Sequence, residues 1–367
     1  MYYNINLDEP ADDPIRDVQN RTLGFQKIFA VSMPHRTDKR DYQALFAFVS
    51  DLDIEFIDGV NGSEVHPKAL PYTWNSEQGA GTVGCWRAHL DIYRKMIQEK
   101  IQTALILEDD ADWDVLIRAQ MTEVARGTRY VTNATLPLHS PYGDNWDILT
   151  VGHYGVDNKP WKEQRYWITQ DDPTVVAPSR RPWPRKPDLS AASLGGDHSR
   201  LVHEAWRFTA TQAYAISLRG AARVLYDQAL QPNARAIDMA MAQMCKREQW
   251  GSSSCIAAYP MIFGRFRAAG PMDGDSDRRA ETNEADPGAT VEKIGERKEA
   301  ESECTVFPVS LNVDKLLAKE WVIPAQVPGK DMQESINLKE FSMPKGKPVV
   351  VRPDEYAKQK EQKEKKQ

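Results

Sequence analysis

Short apolar runs alternate with segments of helical spacing along the first third of the chain. Apolar runs at residues 27–32, 54–58 and 104–107 predict strands, and apolar positions recur at helical spacing between residues 85 and 97. A further helix is predicted between the first two strands. This strand, helix, strand order predicts an α/β fold with a mostly parallel sheet flanked by helices.

The pattern continues in the second half of the chain after a long interruption. Residues 157–200 contain Pro160, Pro173, Pro178, Pro182, Pro184 and Pro187, which favour a loop excursion over regular structure. Strands are predicted over residues 146–153, before this loop, and over residues 209–217 and 255–263, after it. Helices are predicted over residues 218–226 and 236–244.

Changes in composition predict four regions. Residues 1–24 form a polar and acidic arm, and residues 25–270 form the main globular domain. Residues 271–303 are polar with few apolar anchors and predict a flexible linker. Residues 304–367 form a C-terminal extension that ends in a low-complexity charged tail, which we expect to be solvated and disordered.

Composition excludes some partners. The chain has 367 residues, of which 41% are hydrophobic and 27% charged, and its formal net charge is −6. A negative chain has no overall attraction to nucleic acid or to anionic membranes. No apolar run approaches the ~20 residues of a membrane span, and the first residues lack a signal-peptide pattern. We therefore expect a soluble, intracellular protein, although a chain that has lost its membrane anchor would have the same sequence.

The cysteines give little information. Cys85, Cys245, Cys255 and Cys304 are widely spaced and lack the close pairs of zinc sites. A bridge between Cys245 and Cys255 is possible, and the sequence leaves it open.

Five carboxylates follow the apolar run at residues 104–107: Glu108, Asp109, Asp110, Asp112 and Asp114. Strand geometry places Glu108 and Asp110 on one side and Asp109 on the other. Such carboxylates repel one another unless a cation or solvent compensates them, and oxygen ligands suit Mg²⁺ or Mn²⁺. The alternative is an acidic turn before a helix, with Asp109 or Asp110 as the N-cap.

Several blocks, in order, resemble glycosyltransferase family 25, which contains lipooligosaccharide β-galactosyltransferases and the collagen galactosyltransferases. The resemblance extends over about residues 25 to 270. Its blocks are residues 28–40 (IFAVSMPHRTDKR), 56–59 (FIDG), 84–90 (GCWRAHL), 104–110 (ALILEDD), 213–221 (AYAISLRGA) and 237–238 (ID).

The resemblance implies a GT-A-like fold with a Rossmann-type, mostly parallel sheet flanked by helices. It also implies a UDP-sugar donor, expected to be UDP-galactose, and a divalent ion. Mn²⁺ or Mg²⁺ would neutralise the leaving diphosphate. The metal ligands are then Glu108, Asp109, Asp110 and, as a further candidate, Asp112. Asp110 is the first choice as direct ligand and counts among the catalytic residues.

Inverting transfer also needs a base for the acceptor hydroxyl of a glycan or of a hydroxylated protein side chain. Asp238 is the candidate, and the alternative is a helix N-cap. Arg36, Arg40, Asp58, Gly84 and His89 are expected to contact the donor, together with Glu108 and Asp109.

Other interpretations remain open at this level. A catalytically silent relative would bind a nucleotide sugar or glycan without turnover. A phosphohydrolase would need a nucleophilic aspartate after the first strand, where this chain has Ser32. Asp273, Asp275 and Asp277 alternate as cation ligands do, but their polar surroundings favour a solvated linker. Eukaryotic relatives in the resembled family work in the secretory pathway, which implies the endoplasmic reticulum or Golgi if an anchor was lost.

Overall fold

The computed structural model describes residues 7–75, 78–158, 162–181, 187, 189, 194–231, 233–246, 255–272, 274–277, 295–326 and 333–353. Its helices are α1 Thr37–Ser50, α2 Ala80–Glu99, α3 Ile117–Val131, α4 Leu218–Leu230, α5 Ile237–Lys246 and α6 Val313–Leu317. Its strands are β1 Lys27–Ser32, β2 Ile54–Asp58, β3 Thr103–Glu108, β4 Ala111–Asp112, β5 Ile148–Gly152, β6 Gly155–Asp157, β7 Gln164–Thr169, β8 Arg200–Glu204, β9 Arg207–Thr209, β10 Ala213–Ser217, β11 Cys255–Tyr259, β12 Gly264–Arg267, β13 Gly270–Pro271, β14 Glu296–Arg297, β15 Glu301–Glu303, β16 Val322–Pro324, β17 Ser335–Asn337 and β18 Lys347–Val351.

A nine-stranded sheet forms the centre, in the order β18-β7-β8-β11-β5-β10-β3-β1-β2. The pairs β1–β2, β1–β3 and β5–β11 are parallel, and the other neighbouring pairs are antiparallel. The predicted α/β class with a large helix-flanked sheet is therefore confirmed, and the sheet is mixed. β3 lies between β1 and β10, so it is an inner strand, and its carboxyl end has a neighbouring strand on each side.

The sheet is buried on both faces, which explains the continuous apolar run before the carboxylates. Ala104 and Ile106 of β3 pack into a core with α2, α4 and α5, whereas Leu105 and Leu107 pack into a second core with α1 and α3. Successive residues of a strand point to opposite faces. A run of four apolar residues is therefore the pattern that a strand covered on both sides requires.

Two predictions about irregular segments need correction. The predicted excursion at residues 157–200 contains a strand, β7, which pairs with β8 and β18 in the central sheet. Its alternate residues Gln164, Tyr166 and Ile168 are buried, as in a strand with one face towards the core. The glycine-rich stretch before residue 85 lies inside α2, which begins at Ala80.

The predicted linker at residues 271–303 is ordered where the structure describes it. β15 pairs with β12, which pairs with β4, and Ser302 is buried. The hydroxyl groups and charges of this segment bind partners in the fold, so low apolar content did not mean disorder. Residues 278–294 and the charged tail beyond residue 353 lie outside the described residues.

The described ends of the chain pack onto this framework. Ile15 and Val18 of the predicted N-terminal arm are fully buried in the α3 side of the core. Val306 and Phe307 form a third apolar cluster with β16 and β17. In the part of the chain that the structure describes, no helix combines the length and apolar character needed to cross a membrane.

Candidate functional site

The acidic cluster, defined here as Glu108, Asp109 and Asp110, lies where β3 ends. β10 runs antiparallel to β3, so the residues that precede β10 lie beside the end of β3. The Glu108 amide donates to the Gln212 carbonyl at 3.1 Å. The loop at residues 210–212 is therefore fixed against the acidic cluster by sheet pairing.

Asp110 is held by one amide and one guanidinium. The Gln212 side-chain amide donates to Oδ1 at 2.7 Å, and Arg267 Nη1 lies 2.6 Å from Oδ2. Burial raises the pKa of Asp110, but the opposing effects of Arg267, Lys39 and Gln212 outweigh it, so the pKa lies below its ordinary value. Asp110 is therefore a carboxylate at neutral pH.

Asp109 pairs with a buried lysine. Lys39 Nζ of α1 lies 2.8 Å from Asp109 Oδ1 and 3.2 Å from Asp277 Oδ2, and only 5% of the Lys39 side chain is exposed. Burial raises the pKa of Asp109 to about 6, against the lowering effect of Lys39. The pKa of Lys39 is also raised, because Asp109 and Asp110 outweigh its burial. Basic side chains thus compensate the charge of the acidic cluster.

The loop at residues 210–212 connects the acidic cluster to the predicted base. The Thr211 hydroxyl donates to Glu108 Oε1, and the Ala210 amide donates to Asp238 Oδ2 at 3.1 Å. Asp238 also accepts a bond from the Met239 amide at 2.8 Å, within the first turn of α5. Asp110 and Asp238 therefore bind residues two positions apart in one short loop.

Asp112 has a different environment from the acidic cluster. Its oxygens accept bonds from the hydroxyls of Ser302 and Ser310, each at 2.5 Å, and from the Trp113 amide at 2.9 Å. Burial raises its pKa. Asp112 is fully buried, and its role as a metal ligand remains a prediction.

The other residues predicted to contact the donor form ion pairs within the protein or pack against neighbouring backbone. Arg40 Nη2 lies 2.5 Å from Asp58 Oδ1, and Arg36 pairs with Asp38 at 2.7 Å and with Asp277 at 2.8 Å. At Gly84, an added Cβ would lie 2.2 Å from the Val60 carbonyl oxygen. This glycine therefore permits close packing of α2 on the loop after β2.

Sequence reasoning did not identify Lys39, Gln212, Arg267, Asp275 and Asp277 as site residues. Asp275 lies 4.0 Å from Arg267, and Asp277 lies 3.2 Å from Lys39, so both aspartates adjoin the acidic cluster. Lys39 stands in the basic part of the block at residues 28–40, which was a usable signal. Arg267 comes from β12, and nothing in its local sequence indicates proximity to β3.

A small cleft adjoins the acidic cluster beside Gln212. Its volume is about 10 Å³, and its lining includes His153, Ala210, Gln212, Arg265 and Glu303. Ligand pockets usually measure ~300–1,000 Å³, so this cleft alone is too small for a whole sugar nucleotide. His153 binds the Ala258 carbonyl at 2.9 Å through Nε2, and burial lowers its pKa to about 4.

Comparison with known proteins finds a matching family model over part of the chain. Residues 25–129 match the family model of glycosyltransferase family 25 (LPS biosynthesis protein). Over this segment the chain is similar to glycosyltransferase family 25. The matched segment includes β1, α1, β2, α2 and the acidic cluster at the end of β3.

Similar proteins include one named as a galactosyltransferase and one named as probably inactive. Procollagen galactosyltransferase 2 of Mus musculus is 22% identical over 143 residues, which cover 35% of the chain and 21% of the relative. A glycosyltransferase 25 family member of Aedes aegypti is 21% identical over 186 residues, 47% of the chain and 28% of the relative.

The probable inactive glycosyltransferase 25 family member 3 of Bos taurus is 20% identical over 243 residues, which cover 63% of the chain and 32% of the relative. The aligned part of the chain thus spans less than a third of the length of each of these three proteins.

Proposed function

We propose that this chain is a member of glycosyltransferase family 25 and a metal-dependent, inverting hexosyltransferase. The proposed donor is UDP-galactose, and the acceptor is a hydroxyl of a glycan or of a hydroxylated protein side chain. The observation that supports it best is the acidic cluster at the end of β3, within the segment that matches the family model. The names of the galactosyltransferase relatives support the choice of sugar.

The oxygen donors of the acidic cluster suit Mn²⁺ or Mg²⁺ chemically. Asp109 and Asp110 would hold the ion. The ion, when bound, would neutralise negative charge on the departing diphosphate. Lys39 and Arg267 now bind these carboxylates at 2.8 and 2.6 Å, so they would exchange partners when the ion binds. As released cations beside the site, they would be available to bind phosphate oxygens.

Asp238 is the proposed base for the acceptor hydroxyl. Its Oδ2 accepts the Ala210 amide, and Ala210 lines the cleft beside Gln212. An acceptor hydroxyl in this cleft would lie near the loop that binds both Asp110 and Asp238. Inversion requires the base and the leaving group on opposite faces of the sugar, so a base set apart from the acidic cluster is the arrangement needed.

A silent, ligand-binding protein is the second candidate. Its support is specific: Lys39 and Arg267 already satisfy Asp109 and Asp110, and one relative is named as probably inactive. In that case the chain would bind a nucleotide sugar or glycan without transferring it.

The test is release of UDP from a panel of UDP-sugars, with and without Mn²⁺, by the full chain and by Asp110→Asn. We expect Mn²⁺-stimulated release of UDP from UDP-galactose and at least a 100-fold lower rate in Asp110→Asn. Loss of one charge-stabilising group typically lowers an enzyme's rate ~10²–10³-fold. Asp144→Asn is the matched control, because Asp144 pairs with the exposed His139 at 3.0 Å and is not among the predicted site residues.

The outcomes separate the two candidates. Metal-stimulated release that Asp110→Asn retains in full would refute the assignment of Asp110. No release from any donor, together with saturable UDP-sugar binding by calorimetry, would replace the transferase by the silent binder.

We also propose that the protein works in the secretory pathway. The procollagen galactosyltransferase relatives and a disulfide between Cys245 and Cys255 support this proposal, because disulfides persist in oxidising compartments.

A further inference from the structure

Three side chains of different chemistry converge beside the acidic cluster: Cys85, His89 and Glu108. Their ligand atoms, a sulfur, a ring nitrogen and a carboxylate oxygen, all lie within 4.8 Å of one another. Cys85 and His89 are four residues apart in α2, so they share one face of the helix, and Glu108 ends β3. Among the residues that the structure describes, this is the group of three whose geometry admits a metal ion.

A directed chain of hydrogen bonds determines which nitrogen of His89 carries the proton. His89 Nδ1 lies 2.7 Å from the Tyr214 hydroxyl, which lies 2.6 Å from the Tyr93 hydroxyl. Tyr93 donates to the sulfur of Met241 at 3.4 Å, and a thioether only accepts. Tyr214 must then donate to Tyr93 and accept from His89. The proton is therefore on Nδ1, and Nε2 presents a lone pair.

This lone pair has no hydrogen-bond partner among the described residues, although the His89 side chain is only 1% exposed. Nε2 lies 3.7 Å from Glu108 Oε1, which is too long for a hydrogen bond. Glu108 Oε1 already accepts the Thr211 hydroxyl. A buried acceptor thus faces a second acceptor on the partly exposed Glu108, an arrangement that a cation between them would stabilise.

We propose that Cys85, His89 and Glu108 bind a zinc-type transition metal ion. Zinc sites in proteins use thiolate, imidazole and carboxylate ligands, whereas Mg²⁺ and Ca²⁺ use oxygen ligands. The Cys85 thiol loses its proton to solvent as the sulfur–metal bond forms. Tyr214 is a positioning residue, because its bond to Nδ1 orients the ring as outer partners of metal-binding histidines do.

Three protein ligands leave the fourth tetrahedral position of the ion open to an oxygen ligand. The site shares only Glu108 with the acidic cluster. The inference therefore does not depend on the proposed transferase activity, and metal binding can be measured without any sugar nucleotide.

The test is titration of the metal-free full chain with Co²⁺, a spectroscopic substitute for Zn²⁺, followed by displacement with Zn²⁺. We expect a thiolate-to-cobalt charge-transfer band that saturates at one Co²⁺ per chain, is displaced by Zn²⁺ and is unaffected by excess Mg²⁺. Cys85→Ser should abolish this band. His89→Gln and Glu108→Gln should each weaken Co²⁺ binding at least 10-fold, and Tyr214→Phe should weaken it 10- to 100-fold.

Two controls make the result specific. Cys304→Ser removes the other cysteine outside the disulfide and should keep the band, and Asp110→Asn should keep it as well. Circular dichroism and thermal unfolding establish that each variant is folded. A folded native chain without the band, or a band that persists in Cys85→Ser, would overturn the proposal. A zinc site in a chain that transfers no sugar would leave this inference intact and refute only the proposed activity.

Discussion

Each carboxylate of the acidic cluster has a different partner, and the partner determines the charge state. Asp110 is ionised because Arg267, Lys39 and Gln212 outweigh its burial, whereas burial raises the pKa of Asp109 to about 6. Glu108 instead faces His89 and Thr211. Three consecutive acidic residues are thus not equivalent, although the sequence presents them as one motif.

Removal of the buried lysine tests this charge balance. Lys39→Met leaves Asp109 without its closest cation, and we expect a loss of about 3 kcal/mol in the free energy of unfolding, because breaking a buried pair typically costs ~3–5 kcal/mol. Urea denaturation at pH 7.5 measures it. Lys27→Met is the matched control: its pair with Glu55 is about half exposed and should contribute at most ~1 kcal/mol.

Addition of Mn²⁺ extends the same experiment. If Asp109 binds the ion, Mn²⁺ should restore part of the stability lost in Lys39→Met, since a ligand of the native state stabilises it. A variant as stable as the native chain would show that Lys39 does not compensate the acidic cluster.

Two buried histidines predict a loss of stability in acid. Burial lowers the pKa of both His153 and His203 to about 4 from an ordinary value of 6.5. Between these values the unfolded chain binds more protons than the folded one, so stability falls as the pH falls from 6.5 to 4. Each histidine contributes about 3 kcal/mol to the loss, at ~1.4 kcal/mol per pH unit.

The variant His203→Gln isolates one of these contributions. Its unfolding free energy, measured by urea denaturation at several pH values, should fall about 3 kcal/mol less than that of the native chain over this range. His198→Gln changes an exposed histidine and serves as control. Equal pH slopes for native chain and His203→Gln would contradict a neutral, buried His203.

At the scale of elements, the site depends on how α2 and β3 meet. α2 carries Cys85 and His89, and its first turns lie against the loop after β2. Gly84 allows this contact, since any side chain at this position would collide with the Val60 carbonyl. The helical spacing of α2 was readable from the sequence, but its start was placed too late because glycines usually mark turns.

Gly84→Ala tests the contact between α2 and this loop. The added Cβ would lie 2.2 Å from backbone oxygen, so the helix must shift, and we expect a loss of about 2 kcal/mol in the free energy of unfolding. Gly295→Ala is the control, because its Cβ would meet only Met272 Sδ at 3.6 Å, an ordinary contact. Unchanged thermal unfolding of Gly84→Ala would refute the close approach.

At the scale of the whole molecule, distant segments complete the site. β12 supplies Arg267, which binds Asp110. The segment after residue 270 supplies Asp275, which pairs with Arg297, and Asp277, which pairs with Arg36 and Lys39. β15 anchors β12, and Ser302 binds Asp112 below the acidic cluster. The C-terminal half of the chain is thus part of the site and not an appendage.

The Cys245–Cys255 disulfide joins the end of α5 to the start of β11 and so ties the helix of Asp238 to the central sheet. Replacing both cysteines by alanine should lower the free energy of unfolding by about 2–4 kcal/mol. Dithiothreitol should destabilise the native chain to a similar extent and leave the double variant unchanged. If the reductant has no effect on the native chain, the bridge does not form in solution.

The sequence alone determined the α/β class, the strand that ends at Glu108 and the order of the family motifs. Local apolar spacing and contiguous motifs carry this information, because they depend on residues adjacent in the chain. Only the tertiary structure decided that Lys39 and Arg267 bind the aspartates, that Asp112 is fully buried, and that Cys85 joins His89 and Glu108. These contacts join residues that are far apart in sequence, and the packing of helices on the sheet alone brings them together.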